Sequence, residues 1–82
     1  MQNKNIKKVR VFQFKCADRV RTIGHGHIGT VMKKHHKCPM SQDWIDAQSI
    51  PINPANINKP WYSVSIDNGG SIVCEESDMQ SI

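Results

Sequence analysis

The residues able to do chemistry crowd into the first half of this chain. His25-x-His27 and His35-His36-x-Cys38 place five borderline metal ligands within the fourteen positions 25–38. Imidazole and thiolate suit zinc, so metal binding is the first chemistry to weigh. The paired Cys or His spacings of structural zinc sites are absent, however. On an extended ribbon the two groups would also stand some 15–20 Å apart, at ~3.3 Å per residue. One ion does not reach both. The expectation is therefore no metal site, with the histidines left as surface groups or phosphate contacts.

Nucleophilic catalysis finds even less. Cys38 follows His35 and His36 in the sequence, but adjacency is not an oriented nucleophile–base pair, and no third orienting residue stands out. Asp43, Asp46, Glu75, Glu76 and Asp78 become a carboxylate pair only if the fold is chosen to suit them. There is no phosphate-binding P-loop, GxSxG or HExxH. The reading is a protein that is not an enzyme and takes no cofactor.

Charge is the stronger signal. The net charge is +4 over 82 residues, with a pI near 9.2. Residues 1–37 hold ten Lys or Arg against Asp18 alone, a net +9, while residues 38–82 hold Lys59 against six carboxylates, a net −5. Such asymmetry points to a polyanionic partner or to charge matching within the fold. Arg19 and Arg21 alternate outward on a strand-like stretch, and Lys33 and Lys34 close the stretch that pairs with it. Together with His25 and His27 at the turn, these residues form a candidate nucleic-acid stripe. Lys4, Lys7, Lys8 and Arg10 would extend it. Trp61, outward by alternation, could stack on a base or wedge a groove, or else pack beneath a loop.

The elements that must position these groups are short strands. Residues 1–8 read as a disordered basic arm, and 9–82 as a single domain. VRVFQF (9–14) reads as a short strand or an extended lead-in, followed by a turn at Cys16-Ala17-Asp18. Residues 19–23 and 28–33 form a hairpin around Gly24-His25-Gly26-His27. Residues 34–60 show neither helical nor strand period and make one long loop, with a helical turn within Ser41–Gln48 capped by Ser41. Trp61–Asp67 alternates strictly, placing Tyr62, Val64 and Ile66 inward and Trp61, Ser63 and Ser65 outward. Asn68-Gly69-Gly70 turns the chain into 71–75, and Glu76–Met79 presses Met79 onto the core. Four to five antiparallel strands with no long helix predict a small, strongly bent all-β barrel. Cys16, Cys38 and Cys74 are odd in number and irregularly spaced, which argues against a secreted disulfide framework, and each reads as a small buried hydrophobe. No apolar run is long enough to cross a membrane as a helix. The expected setting is the cytoplasm.

Three segments, FKCADRVRTIGHGHIGTV (14–31), SQDWIDAQSIP (41–51) and KPWYSVSIDNGG…CEESDM (59–79), together resemble the HspQ/YccV-like family over residues 12–82. The resemblance implies a small SH3-like barrel, and a function either as a hemimethylated-DNA-binding protein or as a heat-shock adaptor that helps a protease choose substrates. Two departures stand out. Cys16-Ala17 occupies the place of a Gly usual before Asp18, and His25-Gly26-His27 replaces an aromatic beside the hairpin glycine. The "DRVR" opening also occurs in a plasmid dihydrofolate reductase, but the Gln-Ile-Tyr strand of such enzymes is missing here. Two functions are therefore carried forward. The first is duplex-DNA binding through Arg19, Arg21, His25, His27, Lys33, Lys34 and Trp61. The alternative is a protein–protein adaptor or inhibitor, contacting a protease or its substrate through Trp44, Trp61 and Tyr62.

Overall fold

Period-2 alternation decides the sheet. In the computed structural model, which describes residues 11–82, Trp61–Ile66 forms an interior strand, β3, with Tyr62 and Val64 turned into the core. The other strands are β1 (Arg19–Thr22), β2 (Ile28–His35), β4 (Ser71–Glu75) and β5 (Met79–Ser81). All pairings are antiparallel, in the order β4-β3-β2-β1-β5. The fold is all-β, with one short helix, α1 (Gln42–Asp46), capped by the Ser41 hydroxyl as its sequence implies. No helix of the described residues is long and apolar enough to cross a membrane.

The core lies on one face of the sheet. Val20, Val31, Tyr62, Val64, Cys74 and Met79 converge there with Phe14, and Phe12 and Ile72 pack at its margin. The turn Gly24–His27 and the Asn68–Gly70 turn stand where expected, but the strand ends shift. Ile23 belongs to the turn, and β2 runs on to His35, shortening the long loop. A bulge between Val31 and Lys33 bends β2. Gly29 is the second device for close packing: a Cβ there would lie 2.2 Å from the Ser65 carbonyl oxygen.

Of the two readings of 9–14, a short strand or a lead-in, the described part is the lead-in, because its amides bond to side chains rather than to a neighbouring ladder: Gln13 N–H donates to Glu76 Oε2 at 2.8 Å and Phe14 N–H to Tyr62 Oη at 3.3 Å. Residues 1–8, read as a basic arm, lie outside the described residues. The fifth strand, β5, follows a 3₁₀ turn at Glu76–Asp78 and pairs with β1, so β1 is flanked on both sides. The sheet is open: β4 and β5 are its edges and do not pair with each other. Cys16 is exposed, against expectation, with its thiol 3.4 Å from the Met32 carbonyl, whereas Cys38 and Cys74 are buried.

Ala17 sits at φ 79°, the left-handed region that a side chain disfavours by about 1–2 kcal/mol. The chain holds it there because Ala17 N–H donates to Val31 O at 2.7 Å and Lys15 N–H to Asp18 Oδ2 at 2.9 Å. A glycine suits this position. Ala17→Gly should therefore raise stability by roughly 0.5–1 kcal/mol after the larger unfolded-state entropy of glycine is subtracted. Thermal melting should show a rise of a few degrees; a fall would mean that the turn gains nothing from left-handed freedom.

Candidate nucleic-acid interface

Strand pairing sorts the basic residues by face. Arg19 and Arg21 stand on the outer face of β1, opposite Thr30 and Ile28 of β2. Thr30 pairs with Ser65 and Lys33 with Ser63, so Lys33 shares that face. Lys34 pairs with Tyr62 and belongs to the core side, where its ammonium lies 5.2 Å from the centre of the Phe12 ring. The expected four-residue stripe is thus divided, since adjacent strand residues point to opposite faces. Arg19 is further withdrawn by a bidentate ion pair with Asp67, at 2.7 and 2.6 Å. The guanidinium holds the Asp67 carboxyl below its usual range, first by hydrogen bonding.

A different cluster takes shape at the far end of β2. The turn carrying Lys15 lies against Val31 and Met32, through Ala17 N–H and the Cys16 thiol. Lys33, Lys34, His36 and Lys37 follow directly, and His36 packs edge-on to Phe12 at 5.2 Å. All five are exposed. Lys15 and Lys37 were not singled out by sequence, because only the turn at 16–18 brings Lys15 beside β2. His35 turns to the outer face, its Nε2 2.8 Å from Ser63 Oγ, and its pKa is lowered by burial and then by Lys33.

His25 and His27 stack with ring centres 5.8 Å apart at the other end of β2. The eight-residue strand between them and His35 spans about 23 Å, so they do not join the lysine cluster. Among the described residues no three His, Cys, Asp or Glu side chains gather as a metal would need.

Trp61 lies on the face that alternation assigns to it, yet it is 1% exposed. The long loop covers it: Trp44 meets it edge-on at 6.2 Å, and its indole N–H donates to Asn56 O at 2.9 Å. It is not available to stack on a base. Tyr62 is also fully buried. Of the three residues expected to contact a protein, only Trp44 reaches the surface, and it does so partly.

The carboxylates complete the electrostatics. Asp18, Glu76 and Asp78 accept backbone N–H groups of Lys15, Gln13 and Gly24. Glu75 accepts from Asn56 and Ser77, and Asp46 from Gln42. Arg19–Asp67 is the single ion pair among the described residues. Six of the seven carboxylates therefore serve as internal hydrogen-bond acceptors, and among the described residues none is ion-paired with a lysine. Comparison of the chain with family models, curated proteins and solved structures finds no match.

Tyr62 is the chain's only tyrosine, and its hydroxyl donates to Glu76 Oε2 at 2.5 Å. Burial, then that bond, pushes its pKa up from 10.0 to about 12. A raised folded pKa contributes stability that is fully present below pH 10 and is lost as pH rises through about 12. Tyrosinate absorbance should titrate near 12 in the folded protein and near 10 in denaturant. Tyr62→Phe should cost about 1–3 kcal/mol by leaving Phe14 N–H without its acceptor. A folded-state midpoint near 10 would contradict the buried hydroxyl.

Proposed function

We propose that this protein is a non-enzymatic module that binds duplex DNA by its phosphates. Lys33, Lys34, Lys37 and Lys15 make the contacts, and Arg21 extends them along the outer face. The observation that carries this reading is the unequal treatment of the two charges. Six of the seven carboxylates accept hydrogen bonds within the fold, while one of the seven described cations is ion-paired. Lysines left outward at one end of a strand suit a partner that supplies many phosphates.

The resemblance to the HspQ/YccV-like family points the same way, towards DNA as the polyanion. The adaptor surface on Trp44, Trp61 and Tyr62 has less support, because two of its three side chains are enclosed. Phosphate contacts position a protein without reading sequence, so affinity for unrelated duplexes should be similar.

Each phosphate contact adds about 0.9 to the log–log slope of affinity against salt. Lys33→Ala and Lys37→Ala should each weaken binding to all duplexes alike and lower that slope by about one unit, with stability changed by no more than about 0.5 kcal/mol. Arg19→Ala is the contrast: it uncovers Asp67 without removing a phosphate contact, so affinity falls by repulsion while the contact count stands. Fluorescence anisotropy over a range of salt concentrations reads these effects. Unchanged affinity in both lysine variants at low salt would refute the DNA reading.

A further inference from the structure

The two edges of the sheet are not alike. β5 is three residues long, a length that offers little to a pairing strand. β4 has five residues, Ser71-Ile72-Val73-Cys74-Glu75, with no proline, no bulge and no lysine to discourage pairing. Ile66 N–H bonds Gly70 O and Glu76 N–H bonds Pro60 O, which fixes the phase of the β3–β4 ladder. Ile72 and Cys74 therefore turn their backbone groups towards β3, and Ser71, Val73 and Glu75 turn theirs to the free edge.

That edge does not face open solvent alone. A cleft of about 810 Å³ runs beside it, and all five β4 residues line it. Its other wall comes from the long loop, including Trp44, Ile50 and Ile52. Near Gly24 and Asp78 the Ile50 side chain narrows it. The loop thus arches alongside β4 without pairing to it. Glu75 and Asp78 put two carboxylates at the C-terminal end of the strand.

We infer that the free edge of β4 is a docking site for an extended segment of a partner protein. The segment is alternately apolar, carries a lysine or arginine at its N-terminal end, and adds antiparallel to β4 as a sixth strand. Backbone groups of Ser71, Val73 and Glu75 bind its main chain, and its apolar side chains, all on one face of the added strand, lie on Val73 and Trp44. Antiparallel pairing sets its N-terminal end beside Glu75, where the basic residue meets Glu75 and Asp78. An isolated segment fits between β4 and the loop, whereas a second copy would bring its own long loop against this one. This surface is separate from the lysine cluster and does not depend on the DNA reading.

The probe is an acetylated, amidated hexapeptide, lysine followed by alternating valine and threonine, titrated to millimolar concentration into ¹⁵N-labelled protein. The amides of Ser71, Val73 and Glu75 should shift and become protected from hydrogen exchange, beyond any change at Lys33 or Lys37. Replacing the peptide's lysine by glutamate should weaken binding, and methylating alternate peptide nitrogens should abolish it. Val73→Pro removes an outward N–H without breaking a β3 bond; it should weaken the peptide about tenfold and leave DNA affinity unchanged. Absence of shifts at the three amides, equal binding of the methylated peptide, or dimerisation through β4 in sedimentation would each overturn the proposal. The methylated peptide keeps the test valid if the proline variant does not fold.

Discussion

The buried hydroxyl of Tyr62 joins parts of the chain that share no strand pairing. It accepts from Phe14 N–H and donates to Glu76 Oε2, which also accepts from Gln13 N–H. Residues 13–14, the start of β3 and the 3₁₀ turn before β5 are fixed by these three bonds. Phe14 can then cover the core beside Tyr62, their rings edge-on at 5.5 Å. The turn held by Glu76 sets the direction in which Met79 enters the core and β5 reaches β1. A buried polar group is costly unless satisfied, and here satisfying it organises one end of the domain.

The same economy shapes the surface. Glu76, Asp78 and Asp18 each serve a backbone amide, so they cap turns and are not ion-paired with a cation of the described residues. Positive charge is left outward at the far end of β2, where the bulge after Val31 sets which lysine faces which way. The long loop leaves the sheet at that end, hides Trp61 under Trp44, and borders the cleft beside β4. A charged surface and an unpaired strand edge thus occupy different parts of one small sheet.

Much of the sheet was legible in the sequence because its signals are local. The alternation of Tyr62, Val64 and Ile66, the Asn-Gly-Gly turn and the glycine-rich hairpin all act over a few residues. β5 was not legible, since Met79-Gln80-Ser81 is too short to show a period and exists by pairing with β1, far away in the chain. Trp61 was assigned to the correct face, and of its two readings, stacking on a base or packing beneath the loop, the second holds; alternation alone did not decide between them, because what covers it comes from a loop with no period of its own. Lys33 and Lys34 could have been separated by the period of two that was applied to β3. Lys15 could not have been placed beside them, as its position depends on Ala17 holding a left-handed backbone against β2.

The central claim is that outward lysines at the end of β2, rather than the covered tryptophan or the hairpin histidines, meet the phosphates. It is tested most directly by mapping backbone amide shifts of ¹⁵N-labelled protein as a short duplex DNA is added at low salt, and reversing them with added salt. The account predicts the largest shifts at residues 15 and 33–37, smaller ones at Arg21, and loss of all of them as salt rises. Shifts centred on Trp44, His25 and His27 that persist at high salt would contradict it.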